Sequence, residues 1–303
     1  MSKTITIEAT TPAVFNLPYF VAEQEGYFLD EGLDVALLRR AGEPAPRVAI
    51  ELIKDHRDED AFGGFEQFEA GKSSVYRACE WGQIRRAHDS KVSGQIVNKR
   101  AAVASQAIIV RPDSPINVPQ DLANVPVGVS FHHGSHYLAL QTLEGFLDRD
   151  RITLIGVKGL NRFRALQDGH LDAVAVMEPW ITVAEKLGYK VIAEAHYVGS
   201  EIASPDLTEA SLAGINRAVA RAVRKINEDI RPYLHHLIAE VPADITTLSP
   251  EDFRVGRLRY VEPANYPKQE FDHTFNWMVG WGLIPSATSY GELVDNRASA
   301  AAT

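Results

Sequence analysis

Thr4, Ile5, Ile7 and Ala9 alternate toward one face until Pro12 ends the run, which predicts an opening β-strand. Pro18 suits the first position of a helix, where its fixed φ fits and its missing N–H is not needed. Phe20, Val21, Gln24 and Tyr27 follow at helical spacing, and Gly26 offers the left-handed residue that stops such a helix. Gly32 permits one more tight turn before Leu33, Val35 and Leu37 begin a second strand. Beyond it, residues 45–54 read as a helix, 56–60 as a charged loop, 65–72 as a short helix ended by Gly71, and 74–78 as a third strand. Later segments repeat the alternation: a strand at 127–129, then helices at 138–147, 210–228, around His235-His236 and at 271–281. Strands alternating with helices predict an α/β fold with a mostly parallel sheet flanked by helices.

Composition narrows the function classes. The 303 residues are 45% hydrophobic and 23% charged, ordinary globular material with enough chain for two domains. A net charge of −9 argues against a nucleic-acid partner, which needs a basic face, but leaves room for an anionic ligand in a locally positive pocket. No apolar run is long enough to span a membrane. The chain enters its first strand at once, without an apolar leader, so a cytoplasmic location is expected for it as written, and a periplasmic or extracellular one if a signal has been removed. Cys79, the single cysteine, has no internal disulfide partner.

Ala22, Gly26, Tyr27, Phe28, Glu31, Gly32, Leu33, Asp34 and Val35 stand in an order and spacing that resembles the opening of solute-binding proteins for nitrate, sulfonate, taurine and thiamine-pyrimidine precursors. The likeness continues through Ala107–Ile116, Asp121-Leu122 and Val127–Ser130, where Asn124 stands near the position of an expected glycine. It extends to Ala165-Leu166, Gly169, Asp172-Ala173 and Glu178-Pro179. The resemblance implies a two-lobed periplasmic-binding-protein-like fold, each lobe a mostly parallel sheet flanked by helices, joined by two hinge crossings. Residues 1–104 and 198–303 would form lobe one and 105–197 an inserted lobe two. Ligands of such folds lie between the lobes, at strand carboxyl ends and helix N-termini.

Three segments carry candidate chemistry. Ser130-Phe-His-His-Gly-Ser-His-Tyr137 lies between a strand and a helix, where free N–H groups and the helix dipole favour an anion. Ser130, His132, His133, Ser135 and His136 are its candidate ligand contacts, against the plainer reading of capping and packing. As acid or base groups the histidines would be tuned near neutral pH. A metal held by the three with Cys79 or Glu178 is weighed and not expected, because adjacent histidines face one ion only if the loop folds back. Cys79, Glu80 and Trp81, at the end of the third strand, face the cleft in the fold implied. Cys79 is there a nucleophile or a small buried hydrophobe, Glu80 a contact or merely exposed, and Trp81 an aromatic wall or core mass. Asn16 and Tyr19 from lobe one, with Glu178 and Trp180 from lobe two, complete the candidate contacts. Arg162 and Arg164 open a helix and suit an anion clamp, although solvated arginines are the commoner outcome.

Two functions follow. The resemblance implies a solute-binding protein of an ABC-type uptake system, closing on a small organic anion or aromatic heterocycle and delivering it to a permease. The alternative is a cytoplasmic decarboxylase-, desulfinase- or hydrolase-like enzyme on the same scaffold, with Cys79, His132, His133 and His136 as catalytic groups. Residues 110–123 resemble a segment of hydroxybiphenyl sulfinate desulfinase. That enzyme's nucleophilic cysteine belongs to the first loop, where this chain has Phe15-Asn16-Leu17. No Walker A sequence, dinucleotide fingerprint or nucleophile elbow occurs, and no lysine in the matching segments suits pyridoxal phosphate, so no cofactor is expected.

Overall fold

The computed structural model describes residues 4–39, 49–158 and 161–297, apart from the side chains of 100–104 and 198. Its first part runs β1 (Ile5–Ala9), α1 (Ala13–Gln24), α2 (Tyr27–Asp30), β2 (Val35–Arg39), α3 (Glu66–Glu69), β3 (Val75–Cys79) and α4 (Glu80–Asp89). The middle comprises β4 (Gln95–Val110), β5 (Pro126–Val129), α5 (Gly134–Glu144), β6 (Thr153–Gly156), α6 (Asn161–Gln167), β7 (Ala173–Met177) and α7 (Trp180–Lys186). After β8 (Lys190–Ala203) come α8 (Glu209–Glu228), α9 (His235–Ile238), α10 (Lys268–Gly280) and α11 (Tyr290–Leu293).

The strands lie in the order β2-β1-β3-β8-β4-β7-β5-β6. β2, β1 and β3 pair in parallel at one end, and β7, β5 and β6 in parallel at the other. The long antiparallel pair β4 and β8 runs through both halves and serves each. Its register shifts between Arg100 and Ala104, between the two halves. This is a two-lobed α/β architecture with two shared strands as its hinge. Around β4 and β7, Ile109, Val174 and Val176 face one apolar cluster while Ile108, Ala173 and Ala175 face another, as the strand pleat requires. Helices therefore cover both faces.

Gly26, Gly32 and Gly71 adopt φ of +75°, +70° and +70°, the left-handed turns expected of them, and Asn124 takes φ +62°. Pro18 does not begin a helix. α1 begins after Pro12 and holds Pro18 inside it. The carbonyl that Pro18 cannot bond is that of Val14, and the Tyr260 hydroxyl donates to it at 2.6 Å. The helix expected over 45–54 is absent from 49–54, which is extended and forms a bridge at Ile53; residues 45–48 lie outside the described residues. The helix expected from 138 starts four residues earlier, at Gly134, with His133 as its N-cap residue.

Candidate functional site

The ends of β3 and β5 meet where the lobes face each other. Cys79 closes β3 and is the N-cap residue of α4, while residues 130–133 turn from β5 into α5. His132 has φ +60°, a costly conformation for a side chain this size. Three hydrogen bonds hold it there. Its backbone N–H donates to His136 Nδ1 at 3.2 Å, its Nε2 lies 2.6 Å from the His56 carbonyl oxygen, and its own carbonyl accepts from Arg86 Nη1 at 3.2 Å. Beside this turn, the Ser135 hydroxyl accepts from the Ser130 N–H at 2.9 Å and from Arg162 Nη1 at the start of α6.

Four buried donors nearby have no hydrogen-bond partner among the described residues: Trp81 Nε1, the Tyr137 and Tyr197 hydroxyls, and Arg162 Nε. The Trp81 ring lies 5.8 Å from Tyr137 and 5.5 Å from Tyr197, and Phe15 lies 5.8 Å from Tyr197. Tyr197 also crosses the first turn of α5 closely: a Cβ on Gly134 would sit 2.5 Å from its hydroxyl. An unmade hydrogen bond on a buried polar group costs about 1–3 kcal/mol, so several in one place are a feature to explain. All four donate; an acceptor-rich group between the lobes would satisfy them.

Burial governs the titratable groups. Burial, reinforced by nearby arginines, lowers His132 to about 4 and His133 to about 3, and burial with the neighbouring imidazoles puts His136 well below its ordinary value. His136 Nδ1 accepts a hydrogen bond, so it is the neutral Nε2–H tautomer. The expectation of histidines tuned near neutral pH is thereby corrected: these rings are neutral and fasten the turn. Burial pushes the Cys79 thiol up, which outweighs the opposing field of Arg86. Burial also lowers Arg162, to about 10, leaving it protonated at neutral pH.

Cys79, Trp81, Ser130, His132, His133, Ser135 and His136 thus come together, with His133 stacked on Phe65 at 6.0 Å. The other expected contacts make bonds elsewhere, although Asn16 Oδ1 and Glu178 Oε1 keep no hydrogen-bond partner among the described residues. Asn16 donates to the Thr11 carbonyl (3.0 Å) and hydroxyl (2.9 Å), and Tyr19 donates to Glu201. Glu80 turns toward α10, accepting from Tyr266 and Thr274 at 3.1 Å each. Glu178 accepts from the Thr182 N–H (3.1 Å) and hydroxyl (2.8 Å), with Arg257 at 3.7 Å. Trp180 packs on Phe163, ring centroids 5.3 Å apart. Tyr197 and His56 escaped sequence reasoning, since neither sits in a motif. Among the described residues no three His, Cys, Asp or Glu side chains are placed to hold a metal ion.

No family model and no curated protein matches the chain by sequence. Solved structures do. The alkanesulfonate-binding protein SsuA of Xanthomonas axonopodis pv. citri, bound to MOPS, superposes with a TM-score of 0.75 at 14% identity, over 97% of this chain and 98% of that one. The chain has the fold of the periplasmic sulfonate-binding proteins. Escherichia coli SsuA, the periplasmic aliphatic sulphonate binding protein, gives 0.68 at 15% identity over 96% and 92%. The desulfurization enzyme DszB, in complex with biphenyl-2-sulfinic acid, gives 0.60 at 14% identity over 94% of each chain.

Proposed function

We propose that this protein binds a small organic anion in the interlobe cleft, as the solute-binding component of an ABC-type uptake system working with a permease. One lobe would comprise residues 1–104 and 198–303 and the other 105–197, with a location outside the cytoplasm going with that role. The observation that carries the reading is the set of unpartnered buried donors beside the first turn of α5: Arg162 Nε, Trp81 Nε1 and the Tyr137 and Tyr197 hydroxyls. Arg162 and the first turn of α5 supply positive charge, and Ser135 supplies a hydroxyl between them. A carboxylate, sulfinate or sulfonate offers the acceptors these donors lack.

The likeness to sulfonate-binding proteins supports the same reading through the fold. The enzyme alternative gains nothing from the geometry: Cys79 is a buried thiol raised in pKa, and the imidazoles near it are held neutral. No helix among the described residues is long and apolar enough to cross a membrane.

A thermal-shift screen over aromatic carboxylates, sulfonates, sulfinates and pyrimidines, followed by calorimetry and recovery of the ligand, tests the proposal. It expects saturable binding of an anion recovered unchanged. Product formation from the bound anion, or stabilisation by neutral ligands alone, would overturn it.

A further inference from the structure

We propose that Glu144 is a latch which, with Trp277, Trp281 and Arg149, holds the two lobes together whether or not the cleft is filled. The inference is independent of what the cleft binds. Glu144 ends α5, which follows β5 in the chain and packs on β5 and β7 as well as on the shared strands β4 and β8, whereas Trp277 lies on α10 and Trp281 just follows it, and α10 packs on α4 beside β3. The two sides of this contact therefore belong to different lobes.

The contact is specific. Glu144 Oε1 accepts from Trp277 Nε1 at 2.5 Å and Oε2 from Trp281 Nε1 at 2.8 Å, so one carboxylate takes two indoles. Arg149 donates to the same carboxylate at 3.3 Å and to the Gly280 carbonyl at 2.8 Å, with its guanidinium 4.4 Å over the Trp281 ring. An indole N–H only donates, and a bond to an ionised acceptor is stronger than a neutral one. Rotation about the β4–β8 hinge displaces Glu144 from both tryptophans at once.

A second tie lies elsewhere along the lobe boundary. Ile53, from the β2–α3 connection of one lobe, exchanges two backbone hydrogen bonds of 2.9 and 2.7 Å with Gly156 of β6 in the other. Arg86 Nη1 joins the Ala61 and His132 carbonyls at 3.0 and 3.2 Å. Closure thus has contacts of its own, and ligand entry waits on their release. These ties favour closure without ligand, against the cost of the unpartnered donors beside α5, and only the open fraction admits solute.

Small-angle scattering and acrylamide quenching of tryptophan, both on ligand-free protein, test the latch. Native protein is expected to scatter as the closed form with slowly quenched tryptophans. Glu144→Ala and Trp281→Phe are expected to enlarge the radius of gyration, and Glu144→Ala to quench about tenfold faster, since it removes both indole bonds and the Arg149 pair at once. Trp281→Phe keeps a ring under Arg149 and guards against a folding defect in the first variant. Native protein that is already open overturns the proposal. So do folded variants, judged by circular dichroism, that are as compact and as protected as native. Neither readout needs a ligand, so failure here leaves the binding role standing, and an anion screen that fails leaves the latch standing.

Discussion

Arg162 donates to the Ser135 hydroxyl while its own Nε is buried with no partner among the described residues, so the guanidinium is half used. An anion lying against α5 would take the other half. Arg162→Gln is expected to weaken binding of the best anion in the screen by about 10- to 100-fold, the scale of one lost charge-assisted hydrogen bond of roughly 1.5–3 kcal/mol. Arg162→Lys should recover only part of that, since an ammonium lacks the planar fork. Calorimetry of the three proteins checks it, and equal affinities remove Arg162 from the site.

Cys79 is 2% exposed, and burial raises its thiol above the ordinary range. Native protein at pH 8 is expected to react with a thiol reagent far more slowly than unfolded protein, with the rate following global or hinge opening. Cys79→Ser should leave any bound ligand chemically unchanged and cost stability, since it places a hydroxyl where a sulfur packed. Rapid stoichiometric labelling of the folded protein would revive the nucleophile.

Much of the scaffold was legible in the chain, and most of the site was not. Gly26, Gly32 and Asn124 announce their turns because positive φ is a local demand that few residues meet. Pro18 misled because its consequence is settled 246 residues beyond Val14, where Tyr260 takes the carbonyl that proline leaves free. Glu178 and Trp180 belong to the motif that marks the fold, yet Glu178 fastens the start of α7 and Trp180 fills core. The segments at 79–82 and 130–137, singled out separately in the sequence, lie beside each other, Arg86 of α4 bonding the His132 carbonyl. Tyr197 comes from mid-β8, where nothing in the local pattern separates a cleft residue from any other strand aromatic.

The imidazoles make a prediction about pH. Unfolded histidine titrates near 6.5, whereas His132 and His133 in the folded protein titrate at about 4 and about 3. Between those values the unfolded chain binds more protons, so stability rises with pH in that window. Their contribution is complete above about pH 7 and falls as pH drops from 6.5 toward 4 and below. By pH 5 each ring should have withdrawn on the order of 1–2 kcal/mol. Urea melts between pH 7.5 and 4.5 check the slope, and His133→Gln should flatten it. A profile level down to pH 5 would contradict neutral burial.

Gly82 sets how closely the lobes meet, and Gly134 how closely α5 crosses β8. A Cβ on Gly82 would lie 2.8 Å from the His132 carbonyl oxygen and 2.5 Å from Arg86 Nη2, and one on Gly134 would lie 2.5 Å from the Tyr197 hydroxyl and 2.6 Å from its Cζ. An arginine end swings aside cheaply, but the His132 carbonyl belongs to a turn pinned by three hydrogen bonds, and Tyr197 is a buried ring wedged between Phe15 and Trp81. The first cannot retreat without moving a lobe, nor the second without shifting α5 against β8. Gly82→Ala and Gly134→Ala are therefore each expected to cost about 1–3 kcal/mol, the usual toll of overpacking. The loss from Gly82→Ala should fall on the interface between the lobes, and that from Gly134→Ala on the packing of α5 against β8. Hydrogen exchange separates the cases: faster exchange confined to α5, the 130–133 turn and the first turn of α4 means the lobes have been pried apart. Faster exchange throughout β1, β2 and β3 means lobe one itself has been weakened, and the glycines then have no special role in closure.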